Sequence, residues 1–342
     1  MIIDIHTHTF PDHVAERAVQ ELRRSSRICA YSDGTAEGLR RNASTAGIGL
    51  SVIQPVATSP SQVEHINTGA ILRNEEENAA ANAGRTGTGR ADSRLLSFGC
   101  IHPEYGHIRE ELRRIAEAGV PGIKLHPYFH GCDMDDIRYY HILDAAAENG
   151  LIVLTHAGYD QGFPGEHSCT VPMLRRIMQE FRGLTMIAAH MGGWKEWEQV
   201  PELLADTGIY LDTSFATGWI EPEEGKEAYW AVDHFDPDPG MTTYREREEH
   251  QAGTDERDLF RETAKQRSVF GTAKLLKPEQ FAEIVRAFPE GHILFGTDSP
   301  WSDPDRSIAF IRSAPLPEET KQEILGGAAE RLLKEKGYYV RV

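Results

Sequence analysis

Residues 1–10 read MIIDIHTHTF. Ile2, Ile3 and Ile5 are β-branched or apolar neighbours of the kind a buried strand takes. On a strand alternate side chains share a face, so Asp4, His6 and His8 point the same way. Two imidazoles so placed can grip one metal ion, although His-x-His by itself also fits a hydrogen-bonded pair near a chain end. The choice depends on whether the pattern recurs: an apolar run that ends in a polar, ligand-type residue.

It recurs through the chain. Candidate strands are IIDIH (2–6), IGLSVIQP (48–55), LLSFGCIHP (95–103), GIKLHP (122–127), LIVLTHAG (151–158), LTMIAAHMGG (184–193), GIYLDTS (208–214) and HILFGTDSPW (292–301). Several are almost wholly apolar, as parallel strands covered on both faces are. Amphipathic stretches separate them, among them 105–119 and 136–150, which end in Gly, a helix stop, and 172–183, with Pro near its start. Strands alternating with helices in this way predict an α/β fold, a single-domain (β/α)8 TIM barrel over 1–342. A doubly wound open sheet is the alternative, but no Gly-rich dinucleotide loop follows the first strand. The closing helix is expected over 317–337, its spacing interrupted by Gly326 and Gly327.

Two stretches break the rhythm: a polar, Gly-rich connection at 82–94, and a large insertion after strand 7, roughly 215–275. The insertion combines aromatics (Trp219, Tyr229, Trp230, Phe235, Tyr244) with a charge run at 243–262. An insertion after a barrel strand lies at the C-terminal face, so this one is expected to act as a lid or as a subunit contact, the latter building a homodimer.

The net charge of −17 over 342 residues argues against nucleic acid as a partner. No apolar run approaches the roughly 18 residues of a membrane span, and no basic-plus-apolar leader pattern opens the sequence. The four cysteines, Cys29, Cys100, Cys132 and Cys169, have no paired spacing and fit reduced thiols. The expectation is a cytoplasmic protein acting on a small-molecule substrate.

The strand ends carry the chemistry. His6 and His8 end the first strand, Lys124 and His126 the fourth, His156 the fifth, His190 the sixth and Asp298 the eighth. A barrel brings these ends to one pocket, and neutral imidazoles with a carboxylate are ligands for zinc or a similar divalent ion. His102, also at a strand end, and His126 are candidate substrate contacts that wall packing would explain equally well, and Trp301 could stack on a planar substrate or equally close the barrel mouth.

With DIHTHTF, GIKLHP, LTHAG, AAHMGG and FGTDSPW in this order, the sequence resembles the amidohydrolase superfamily, in its branch related to aminocarboxymuconate-semialdehyde decarboxylase. The resemblance implies metal ligation by His6, His8, His156 and Asp298, with His190 either a ligand of a second metal or an acid/base group beside one. It implies two readings of Lys124. Carboxylated, it would bridge two ions, which requires burial to lower its pKa from about 10.4; as a cation beside one ion it would bind a substrate carboxylate. The cationic form with one zinc is the working expectation. The first reaction expected is hydrolysis of an amide, ester or lactone of a small organic acid, Asp298 accepting a proton from activated water and His190 protonating the leaving group. The alternative keeps the site but makes the enzyme a lyase, a decarboxylase or hydratase of an unsaturated or aromatic acid. A barrel that binds without catalysis is disfavoured because no ligand is missing.

Overall fold

The computed structural model describes residues 1–26, 28–82, 93–160, 162–163, 168–217 and 275–338. The opening run forms β1 (Ile2–Thr7), with Ile3 and Ile5 fully buried. β1 pairs in parallel with β2 (Ile48–Ile53), and β2 with β3 (Arg94–Ser97). β3 resumes after Phe98 as Gly99–Cys100, and this second piece pairs with β4 (Gly122–Leu125). The Phe98 N–H donates to the Ile53 oxygen at 3.0 Å, so the chain keeps its place against β2 across the gap. β5 (Ile152–Thr155), β6 (Thr185–Ala188), β7 (Tyr210–Asp212) and β8 (Ile293–Leu294) follow, each parallel to the one before.

Backbone bonds join the last strand to the first. Ile5 N–H donates to Phe295 O at 2.9 Å, Asp298 N–H to His6 O at 2.8 Å and His8 N–H to Ser299 O at 2.6 Å, while Thr7 and Ser299 form a parallel bridge. The sheet thus closes on itself as the predicted barrel, with no free edge between β8 and β1. One buried apolar cluster takes Ile3 and Ile5 from β1, Leu50 and Val52 from β2, Leu96 from β3, Ile152 and Leu154 from β5, Ile187 from β6 and Leu294 from β8.

The helices fill the crossovers. α1 (Asp12–Ser26) and α2 (Ala36–Thr45) precede β2, α3 (Val63–Asn82) precedes β3, and α4 (Ile108–Glu117) precedes β4. A short α5 (Pro127–His130) and α6 (Ile137–Glu148) precede β5; α7 (Val171–Glu180) and α8 (Val200–Leu204) precede β6 and β7; α9 (Pro278–Ala287) precedes β8. α10 (Pro304–Ser313), α11 (Glu318–Gln322) and α12 (Ala328–Glu335) follow it. α4 shows why such segments settle there: Leu112 and Ile115 are buried on one face, while Glu111 on the same side is neutralised by Arg114, one turn on, and bonded by Asn67.

The expected single helix over 317–337 is split, because Glu323–Gly327 forms a π-turn between α11 and α12. A Cβ at Gly326 would lie 2.1 Å from the Met1 oxygen, so only glycine lets this turn lie against the start of β1. The strand expected over 292–301 is also shorter, since the chain leaves it to enter the left-handed region at Asp298 (φ +63°). The connection at 82–94 and the insertion at 215–275, with its aromatics and charge run, lie outside the described residues except at their ends. Those ends meet: Leu276 N–H donates to Ala216 O at 3.0 Å. Among the described residues, no helix is long and apolar enough to cross a membrane.

Candidate metal centre

His6, near the end of β1, is buried between β7 and β4. Its Nδ1–H donates to Asp212 Oδ2 at 2.8 Å, and its Nε2 lies 3.0 Å from Lys124 Nζ. His8 donates its Nδ1–H to the Gln54 oxygen at 2.8 Å, which turns its Nε2 toward Asp298 Oδ1 at 3.0 Å. His6 Nε2 is 3.6 Å from the same oxygen. With both Nδ1 protons engaged, the lone pair of each neutral ring is on Nε2. Donor atoms of His6, His8 and Asp298 lie within 4.8 Å of one another. Two imidazole nitrogens and a carboxylate oxygen thus converge in a buried pocket where one divalent cation would join them. This nitrogen and oxygen donor set suits zinc or manganese, and the bonds behind it, to Asp212 and Gln54, are the orienting contacts that metal-binding histidines need.

A second group stands beside the first. His156 donates its Nε2–H to Tyr159 O at 3.1 Å, leaving its lone pair on Nδ1. His190 donates its Nδ1–H to Ser214 O at 2.9 Å, and its Nε2 is 3.1 Å from His156 Nδ1. Asp160 Oδ2 lies 3.4 Å from His126 Nε2 and 3.8 Å from His156 Nδ1. Donor atoms of His126, His156 and Asp160 also lie within 4.8 Å of one another. The structure therefore splits the expected ligands: His6, His8 and Asp298 form one trio, while His156 lies in another with His126 and Asp160. His190 spans them, touching His156 and stacking on His6 with ring centroids 5.5 Å apart. Lys124 is 1% exposed, and among the described residues it forms no ion pair; its hydrogen bond goes to His6.

His102 stands apart from both trios. Its ring meets that of His130 edge-on at 4.9 Å, and its Nδ1 accepts the Glu104 N–H at 3.2 Å. Trp301 is 9% exposed, and its N–H donates to Asp298 O at 2.9 Å, so its backbone helps hold the Asp298 turn.

Asp212, Gln54, Asp160 and Ser214 belong to the site but are missing from the residues expected by sequence. Asp212, fully buried, accepts from His6 through one oxygen; the other accepts from His190 N–H at 3.1 Å, Ser214 N–H at 3.0 Å and the Ser214 hydroxyl. Both Asp212 and Gln54 directly follow apolar runs, the signal that located the histidines. Asp160 lies beyond the strand end, where alternation has no reach.

The backbone at the site is strained. His190 (φ +58°), Phe215 (φ +53°) and Asp298 (φ +63°) occupy the left-handed region without being glycine, each at a strand end. The hydrogen bonds of Asp212 to the amides of His190 and Ser214, and of His6 O to the Asp298 amide, hold these turns.

Burial governs the charges. It pushes His6, His126 and His156 well below the usual imidazole range, assisted by the neighbouring Lys124, and it lowers His190 too, so the rings are neutral at pH 7. Burial brings Lys124 down to about 8, partly opposed by Asp298 and Asp212. Burial alone would raise Asp298, but its contact with His8 and the surrounding imidazoles of His6 and His190 hold it well below the ordinary carboxylate range. Asp4, below the site, is raised by burial to about 7 although it accepts bonds from Thr297 and His6.

The barrel is shared with solved structures of other proteins. A TIM-barrel protein of uncharacterised function from Bordetella bronchiseptica shares the fold over 98% of this chain and 99% of its own, at 15% identity and a TM-score of 0.58. A 5-carboxyvanillate decarboxylase from Novosphingobium aromaticivorans, with bound manganese, does so over 98% and 97% at 12% identity and a TM-score of 0.58. The 2,6-dihydroxybenzoate decarboxylase from Rhizobium does so over 98% and 99% at 12% identity and a TM-score of 0.53. At such identities the likeness is one of fold. No curated protein matches this sequence. The profile of the amidohydrolase family (Amidohydro_2) matches residues 3–334, nearly the whole chain, and the protein belongs to that family.

Proposed function

We propose that this member of the amidohydrolase family is a metal-dependent, non-oxidative decarboxylase, a lyase acting on a small aromatic or unsaturated carboxylic acid. One observation carries the reading: the buried Lys124 ammonium, without an ion pair among the described residues, stands beside the His6, His8 and Asp298 trio. An unpaired buried charge costs several kcal/mol, and a substrate carboxylate would supply the missing partner. Two structures that share the fold are named as decarboxylases, which supports the same class of reaction. Hydrolysis, the first expectation from sequence, therefore gives way to the lyase alternative.

His6, His8 and Asp298 would hold a divalent ion, zinc by the preference of this donor set, with manganese taken by the same donors. Once bound, the ion would stabilise negative charge developing on the substrate. Lys124 would orient the carboxylate, and the buried pocket would keep water from it. Loss of carbon dioxide breaks one C–C bond and leaves its electron pair on carbon, which must take one proton. Asp298, an ionisable group of the trio with its side chain 13% exposed, is the group placed to relay that proton to carbon. Neutral His190 would hold the opposite wall. Hydrolysis of an amide, ester or lactone is the second reading, favoured by the ionised state of Asp298, which a general base needs.

The test is a product assay. Metal-loaded protein given hydroxylated benzoates and unsaturated acids should release carbon dioxide, while ester, lactone and amide panels stay intact. Hydrolysis of those panels without carbon dioxide release would overturn the reading. Lys124→Met should lower kcat/KM by about 100-fold, the scale of losing a buried charge pair. Because Lys124 is a cation only below its pKa, kcat/KM should fall as pH rises through about 8, and Lys124→Arg should remove that limb.

A further inference from the structure

Asp4 is buried, and the proposed reaction makes no use of it. Its Oδ1 accepts the His6 N–H at 3.2 Å and the Thr297 N–H at 3.0 Å, and its Oδ2 accepts the Thr297 hydroxyl at 2.6 Å. One side chain of β1 therefore grips both a residue of the first trio and the residue before Asp298. Thr297 is bonded at every polar atom. Besides its two bonds to Asp4, its Oγ1 accepts the Ser299 N–H at 3.0 Å and its backbone oxygen accepts the Ser302 hydroxyl at 2.7 Å. Neither strand is placed here by its ladder. The β1–β2 register slips between Asp4 and Thr7, and β8 ends at Leu294, short of Asp298.

We infer that Asp4 is a positioning residue of the first trio: through Thr297 it holds the Asp298 carboxylate against His6 and His8. Asp298 occupies the left-handed region (φ +63°), which costs a non-glycine residue free energy, so the turn persists only where its surroundings over-determine it. Its own backbone bonds run from N–H to His6 O at 2.8 Å and from Trp301 N–H to Asp298 O at 2.9 Å. They tie Asp298 to whatever places His6 and the turn. Asp4 places both at once, because the His6 and Thr297 amides meet at one of its oxygens. The result is an Asp298 Oδ1 set 3.0 Å from His8 Nε2 and 3.6 Å from His6 Nε2. A trio preorganised in this way loses less freedom on taking up an ion. β1 thus supplies two ligands and, through Asp4, sets the third. The inference rests on the metal reading of that trio, but not on the reaction proposed for it.

Asp4→Asn sets an NH₂ donor against the Thr297 hydroxyl, Thr297→Val removes that hydroxyl, and Thr297→Ser keeps it. In chelator competition with Mn²⁺, the first two should each lower affinity about 10-fold, the scale of losing an orienting partner, while Thr297→Ser stays within about threefold of the parent. In an Asp298→Asn background, Asp4→Asn should cost less than about threefold, because the residue it acts through is already altered. Amide exchange in the metal-free protein gives a second readout. The Asp298 and His8 amides should exchange about 10-fold faster in Asp4→Asn, with those of β5 and β6 unchanged. An undiminished loss in the Asp298→Asn background, or faster exchange across all strands, would reveal a general structural role and overturn the inference. Parent affinity and parent exchange in both Asp4→Asn and Thr297→Val would overturn it too. Where Asp4→Asn does not fold, Thr297→Val decides. A parent protein that takes up no Mn²⁺ would sink the metal reading, and amide exchange would still decide whether Asp4 holds the Asp298 turn.

Discussion

At the scale of single residues, His6 can offer Nε2 to an ion only while its proton stays on Nδ1, and Asp212 decides that. One Asp212 oxygen receives the His6 proton, and the other is held by donors from His190 and Ser214. Asp212→Asn would have to keep its oxygen toward those donors and point its NH₂ at His6 Nδ1. The His6 proton then moves to Nε2, and the ligand lone pair is lost. Metal affinity should drop by roughly 10- to 100-fold, as when other orienting partners are removed, with little change in the melting curve. Unchanged affinity in a chelator-competition titration would show that Asp212 is merely structural. The sequence pattern of a polar residue after an apolar run located the histidines, Lys124 and Asp298. Asp212 obeys the same pattern but sits in LDTS, where Asp reads as a turn former. Asp160 could not be reached that way, because its carboxylate is placed by the loop after β5.

At the scale of elements, the site depends on neighbouring strand exits holding each other. Gly158 and Trp194 form a parallel bridge just beyond β5 and β6, with Trp194 N–H donating to Ala157 O at 2.9 Å. Gly158 has φ +79°, and a Cβ there would lie 2.1 Å from the Trp194 nitrogen, a backbone atom with nowhere to move. That explains the glycine in LTHAG: it lets the exits of β5 and β6 approach, which sets His156 against His190. Gly158→Ala combines left-handed strain with overpacking and should cost about 3 kcal/mol in urea unfolding. A loss under about 0.5 kcal/mol, the range of ordinary surface substitutions, would show that the two exits are not tightly coupled. Strand and helix positions were legible to within a few residues because the apolar periodicity marks them. The break in β3 at Phe98 and the π-turn before α12 were not, since both follow from contacts with distant strands rather than from local pattern.

At the scale of the whole molecule, the barrel closes through residues on either side of the large insertion without needing its interior. β7 pairs with β8 through Leu211 with Ile293 and Asp212 with Leu294, and β8 runs on into its bonds with β1. Phe215 packs on Trp194 with ring centroids 5.5 Å apart, while the Leu276 amide returns to the Ala216 oxygen at 3.0 Å. The chain thus leaves the barrel and comes back at one point, so a short Gly-Ser link from Thr217 to Leu275 asks for no rearrangement of β7 or α9. Loop-closure entropy favours the shorter connection by about 2 kcal/mol, because its cost grows with the logarithm of length. Replacing 218–274 in this way should therefore leave the cooperative melt in place, with a midpoint no lower than that of the parent. The metal count should hold as well, because both trios lie outside the replaced segment. A lower midpoint with the metal count intact would assign the segment a share of barrel stability. Loss of metal with the melt intact would instead place a ligand or a second supporting contact within it.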